Sequence, residues 1–154
     1  MLRAEITEAL KSAMKEQDKR ATSTLRLILA ALKDRDIAAR GKAGNDGISD
    51  EEILEMLQKM VKQRHDSIKL YQQGDRPDLV QEETEEIEII RRFLPKQLSE
   101  EEMAAAIQSV VDKLGATNIK DMGRTMAALK GSYAGRMDFA KASALVKQHL
   151  GAGG

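Results

Sequence analysis

Ile89-Ile-Arg-Arg-Phe-Leu-Pro-Lys-Gln-Leu-Ser-Glu-Glu-Glu102 decides how this chain is divided. Pro95 cannot donate to a helix ladder, and it pushes Leu94 away from helical geometry. Four residues later, Ser99 and Glu102 have the spacing of a capping box. The hydroxyl accepts from the backbone N–H near Glu102, and the carboxylate reaches back to the N–H of Ser99. One helix therefore stops before Pro95 and another begins at Ser99. This joint reads as a boundary between residues 1–94 and 95–151.

Upstream of the joint, apolar residues recur at helical spacing in four runs. Leu2, Ile6, Ala9, Leu10, Ala13 and Met14 mark the first, and Leu25, Ile28, Leu29 and Leu32 the second. Such stripes face a core. Gly41-Lys-Ala-Gly-Asn-Asp-Gly47 reads as a surface loop; it lacks the spacing of a phosphate-cradling loop and follows no strand. Ser49 and Glu52 form a second capping box, opening a long helix through Ile53, Leu57, Met60, Val61, Arg64 and Ile68, with Gly74 as its end signal. A fourth helix carries Leu79, Val80, Ile87, Ile90 and Leu94. Its Glu82, Glu83, Glu85, Glu86 and Glu88 read as a solvated face, with the acids early and Arg91-Arg92 late, as the helix dipole favours.

Downstream the elements shorten. Glu100–Leu114 is expected to end at Gly115, and Ile119–Lys130 at Gly131, and Asp138 caps a last helix through Phe139, Ala142, Leu145, Val146 and Leu150. The tail Gly151-Ala-Gly-Gly154 is expected to fray. The fold class is all-α: a helical domain of about four helices over 1–94, then a small three-helix domain over 95–151.

The totals narrow the chemistry. The 154 residues include 25 Lys/Arg, 25 Asp/Glu and no Cys, which excludes disulfides, thiolate catalysis and Cys-ligated metals. With only His65 and His149, no metal site is expected. Asp66, adjacent to His65, points to a different side of the helix and is badly placed to orient it. No nucleophile elbow, zinc-protease or dinucleotide motif is present, and no cofactor is expected. No run approaches the roughly 20 apolar residues of a membrane span, and the N-terminus has no apolar signal region, so the expected location is cytoplasmic.

Charge is uneven along the chain. Residues 1–94 hold 17 Lys/Arg and 19 Asp/Glu, whereas 95–154 hold 8 and 6. From Lys120 onward six bases face only Asp121 and Asp138. A small basic helical module suits phosphate-backbone contact. With four aromatic residues in the chain, shape and backbone contact with structured RNA fits better than base stacking.

Several phrases together resemble the YqeY-like proteins of the GatB/YqeY domain family. They are Arg92-Phe-Leu-Pro-Lys-Gln-Leu-Ser-Glu-Glu-Glu102, Lys120-Asp-Met-Gly-Arg-Thr-Met-Ala-Ala-Leu-Lys130 with Gly131, and Asp138-Phe-Ala-Lys-Ala-Ser-Ala-Leu-Val-Lys147. Leu25–Lys33 and Gln63–Ile68 through Tyr71 and Gly74 also fit. The resemblance implies a helical N-terminal domain and a three-helix tail similar to that of the B subunit of the glutamine-dependent tRNA amidotransferase. There the tail contacts the tRNA elbow around the D-loop, and the amidation site lies in a domain this chain lacks. The family label of carbon–nitrogen ligase with glutamine as amido donor would then not describe chemistry by these residues. Carried over by position, the tRNA-binding candidates are Lys120, Gly123, Arg124, Lys130, Gly131, Arg136 and Lys141, and no catalytic residue is nominated. Gly123 would allow close approach either of a phosphate or of a neighbouring helix; Gly131 also reads as a helix-ending residue. The resemblance implies a stand-alone tRNA-binding accessory protein, with an aminoacyl-tRNA synthesis protein as a possible partner. A helical protein–protein adaptor and an amidotransferase-related role are the alternatives.

Overall fold

The computed structural model describes residues 1–40 and 47–152. Seven α-helices and one 3-10 turn account for the regular structure of these residues, with no strand. The chain forms two compact units, Met1–Pro95 and Lys96–Gly154. The expected loop at 41–47 lies outside the described residues except for Gly47.

In the first unit, α1 (Leu2–Lys15) leads through a tight turn to α2 (Lys19–Ala39). Gln17 takes left-handed backbone (φ 57°), and Asp18 caps α2 by accepting from the Ala21 N–H at 3.0 Å. The long α3 (Asp50–Gln73) opens with the expected box: Glu52 N–H donates to Ser49 Oγ at 3.2 Å, and Ser49 N–H donates to Glu52 Oε1 at 3.3 Å. It packs along α4 (Pro77–Arg91), which also lies against α2. Ile6, Leu25, Ile28, Ile53, Leu57 and Ile90 are fully buried at the centre. Pro77 at the first position of α4 already has the φ a helix needs, and the missing N–H there has no ladder partner to lose.

A clamp ties the start of α1 to the end of α2 and to the lead-in of α3. Arg3 Nη2 donates to Asp36 Oδ1 at 2.6 Å and to the Ile48 carbonyl at 2.8 Å. Asp36 Oδ1 also accepts from the Ile48 N–H at 2.9 Å. The Arg3 guanidinium beside it holds the Asp36 carboxyl down at about 2, helped by the Ile48 N–H. Gly47 enters this clamp at φ +106°; a Cβ there would lie 2.6 Å from Arg3 Nη2 and 2.7 Å from Asp36 Oδ1. Only glycine satisfies both the backbone and the space.

The acid-rich face of α4 differs from the expected solvated surface. Arg20 of α2 reaches Glu85 at 3.1 Å and Glu82 at 3.5 Å. Arg64 of α3 donates to Glu86 at 2.9 Å, and the two side chains are only 13% and 15% exposed. Burial, with Glu86 close by, raises the Glu83 carboxyl above its ordinary value. Much of the acid run therefore supplies interhelical pairs.

The joint works as a handover between two cores. Helix α4 ends at Arg91, and Phe93 and Leu94 fold back onto the first core. Leu98 packs against the second core, and its N–H donates to the Arg136 carbonyl at 2.8 Å. In α5 (Glu100–Leu114) the Ser99–Glu102 box is complete, with both hydrogen bonds at 3.1 Å. Gly115 closes it in left-handed geometry at φ +61°.

A 3-10 turn (Ile119–Asp121) precedes α6 (Met122–Tyr133), and α7 (Phe139–Ala152) completes the unit. The second core centres on Ile107, Leu129, Met137, Ala142, Val146 and Leu150. The ends of α6 and α7 differ from the sequence reading. Gly131 does not end its helix; α6 continues to Tyr133, because Gly135 (φ +76°) makes the left-handed turn instead. Gly74 ends α3 as the sequence reading has it, at φ −84°, with Asp75 taking the left-handed position one residue later at φ 54°. Helix α7 extends through Gly151 to Ala152, so the start of the glycine-rich tail is helical rather than frayed.

Candidate nucleic-acid interface

The lead-in to α6 is built by side chains that hold the backbone. Asn118 Oδ1 accepts from the Lys120 N–H at 2.9 Å. Asp121 Oδ2 accepts from the Thr117 N–H at 3.0 Å, and Oδ1 accepts from Arg124 Nε at 3.1 Å. These backbone donors, led by Thr117 and joined by Arg124, lower the Asp121 carboxyl below its ordinary value. Thr125, fully buried, donates its hydroxyl to the Asp121 carbonyl at 2.8 Å. The one carboxylate near the start of α6 is thus engaged in the turn.

Helix α6 turns Thr125 and Leu129 inward, with Met122, Met126 and Ala128 partly covered. Its outward side shows Gly123, Arg124, Ala127, Lys130 and Gly131, all exposed. Gly123, Ala127 and Gly131 stand at i, i+4 and i+8, forming one smooth row. At about 100° per residue, Arg124 and Lys130 project roughly 60° to either side of that row. A Cβ on Gly123 or Gly131 would meet no heavy atom within 4 Å. Close packing against a neighbouring helix within the chain therefore does not explain either glycine. The sequence of α6 contains no acidic residue.

Five of the seven candidates, Lys120, Gly123, Arg124, Lys130 and Gly131, belong to this helix and its lead-in. The other two sit elsewhere. Arg136 lies in the turn after α6, where Nε donates to the Lys96 carbonyl at 3.3 Å and the guanidinium stands 5.9 Å above the Tyr133 ring. Gln97 Nε2 donates to the neighbouring Gly135 carbonyl, so Arg136 helps to hold the joint segment. Lys141 is exposed in the first turn of α7, behind Asp138, whose Oδ1 accepts from the Ala140 N–H at 2.9 Å. Ala127 carries no polar group to mark it in the sequence. Its signal is the i, i+4, i+8 spacing with the two glycines.

Other candidates resolve differently. His65 is exposed and lies 3.3 Å from Arg91 Nη2. Among the described residues no group of three His, Asp or Glu side chains could hold a metal ion. No helix of the described residues is long and apolar enough to cross a membrane.

A protein of Lachancea thermotolerans, "Altered inheritance of mitochondria protein 41, mitochondrial", is 32% identical over 117 residues, covering 75% of this chain and 60% of that protein. Its Saccharomyces cerevisiae namesake (strain YJM789) is 33% identical over 85 residues, covering 55% and 44%. The chain therefore spans less than two thirds of the length of either. An uncharacterized Schizosaccharomyces pombe protein is 31% identical over 98 residues, covering 64% of this chain and 76% of its own length. The family model for Yqey-like proteins matches residues 3–150, which takes in both helical units and the joint. The chain belongs to the YqeY-like protein family.

Proposed function

We propose that this protein is a stand-alone tRNA-binding accessory factor, non-catalytic by itself, working in the cytosol. The observation that carries the reading is the outward face of α6: a row of small residues, free of carboxylates, between Arg124 and Lys130. The small row lets a phosphate backbone approach the helix, and the flanking cations replace its counterions. Lys120 adds a third cation in the 3-10 turn that leads into the same helix. Such a surface recognises the spacing of phosphates on a folded RNA rather than base identity, which suits a tRNA elbow. Lys141 and Arg136 widen the basic character of the unit. The first unit then serves to position the tail or to dock a protein of aminoacyl-tRNA synthesis.

Binding of folded tRNA, followed by fluorescence anisotropy across salt concentrations, tests this. About three phosphate contacts predict affinity falling by roughly 20- to 40-fold between 50 and 200 mM salt. Charge reversal at both Arg124 and Lys130 is expected to remove most of that binding and most of its salt dependence. Affinity that ignores salt, or survives the double reversal, refutes the reading.

A further inference from the structure

The first unit carries a surface groove that the RNA reading does not use. Helix α2 has two faces at helical spacing. Ala21, Thr24, Leu25, Ile28 and Leu32 are buried. Lys19, Thr22, Ser23, Arg26 and Leu27 follow the i, i+3, i+4, i+7, i+8 pattern on the opposite side. With Met14 from the end of α1, they line an open groove of about 710 Å³. Leu27 is 46% exposed and Met14 51%, so both present apolar surface to the groove. No carboxylate lines the groove. Asp18, next in sequence to Lys19, is turned into the cap of α2. Among the described residues neither Lys19 nor Arg26 takes part in an ion pair, whereas Arg20 is engaged with Glu82 and Glu85.

We infer that this groove is a docking site for an acidic amphipathic helix of a partner protein. Met14 and Leu27 supply apolar contact, and Lys19 and Arg26 supply the charge that selects carboxylates at the rim. The hydroxyls of Thr22 and Ser23 satisfy polar groups between them. This is helix-in-groove recognition, in which apolar anchors give affinity and flanking charges give orientation and partner choice. Exposed Met14 and Leu27 beside the two cations have no counterpart on a phosphate backbone, which favours a peptide over a nucleic acid at this place. The inference stands independently of the RNA reading, because the residues belong to the other unit.

The probe is a labelled peptide of about 16 residues with Leu at i, i+3, i+4 and i+7 and Glu on its remaining face. A control peptide carries Lys in place of Glu. Titration into the isotope-labelled full chain, followed by amide chemical shifts, is expected to perturb Met14, Lys19, Ser23, Arg26 and Leu27 saturably. The lysine peptide should leave them unmoved. Leu27→Glu and Arg26→Glu should each weaken binding about tenfold or more, with Leu27→Ala as a milder variant and helical circular dichroism as the check on folding. Absence of saturation overturns the inference, as do shifts spread over the surface or unchanged affinity in folded variants. A parallel titration with folded tRNA keeps the two readings apart. Perturbation of α6 with a silent groove supports both, whereas tRNA shifting the groove residues makes the groove an RNA surface and overturns its assignment to a peptide.

Discussion

Substituting Asp36 by Asn tests the clamp that ties α1 to the end of α2 and the lead-in of α3. The carboxylate takes two hydrogen bonds from the Arg3 guanidinium and one from the Ile48 N–H. Its side chain is 23% exposed and that of Arg3 37%. Displacement of the Asp36 carboxyl from its ordinary 3.8 to about 2 corresponds to about 2.5 kcal/mol in favour of the charged form. Partial exposure screens the pair and reduces the expected loss to about 1–2 kcal/mol. Asn retains an acceptor for Ile48, so the loss falls on the charged pair with Arg3. The folded-state pKa is depressed, so this stabilisation is fully present above the ordinary carboxylate range. It disappears as pH falls toward about 2. Urea denaturation of the native protein and Asp36→Asn, at several pH values between 7 and 2.5, isolates the contribution, because every other carboxylate is common to both. A stability gap of about 1–2 kcal/mol at pH 7 that narrows below pH 4 is expected. A gap that is independent of pH, or below about 0.5 kcal/mol at pH 7, refutes the clamp as an energetic feature.

Glu86→Ala leaves Arg64 largely buried with, among the described residues, the Met60 carbonyl at 3.2 Å to accept from it. It is expected to cost about 3 kcal/mol by chemical denaturation, while the double replacement Arg64→Met with Glu86→Leu recovers most of that loss. Gly131→Ala is expected to raise the melting temperature, by up to about 1 kcal/mol in stability, since the residue is inside α6 and its added methyl meets nothing. Gly131→Leu should keep the fold but reduce tRNA affinity, if the small row admits the RNA backbone; equal affinity in the two variants counts against that role.

Legibility of the sequence followed the reach of the interaction. The Ser49–Glu52 and Ser99–Glu102 boxes and the helix-ending Gly115 each involve partners within a few residues. Their chemistry is written in residue spacing. The apolar stripes likewise placed Ile6, Leu25, Ile28, Ile53 and Leu57 in a core. Gly131 shows the limit: glycine is compatible with a helix end, but Gly135 made the turn and the helix ran on. The acid run of α4 was read as solvated because nothing local pairs Glu82, Glu85 and Glu86; their partners Arg20 and Arg64 lie on other helices. In the candidate interface the charged residues were legible as a basic excess, and Ala127 was not.

By itself the sequence determined an all-α chain, a break at Pro95 and the positions of several helix caps. These follow from periodicity and from hydrogen bonds between near neighbours. The tertiary structure decided which charges are paired, and it closed Arg3, Asp36 and Gly47 into one clamp. It also decided that the glycines of α6 face open space rather than another helix, and that the second face of α2 remains uncovered beside Met14. Those outcomes depend on which helix faces meet, and a face is assigned only when the cores of both units are packed.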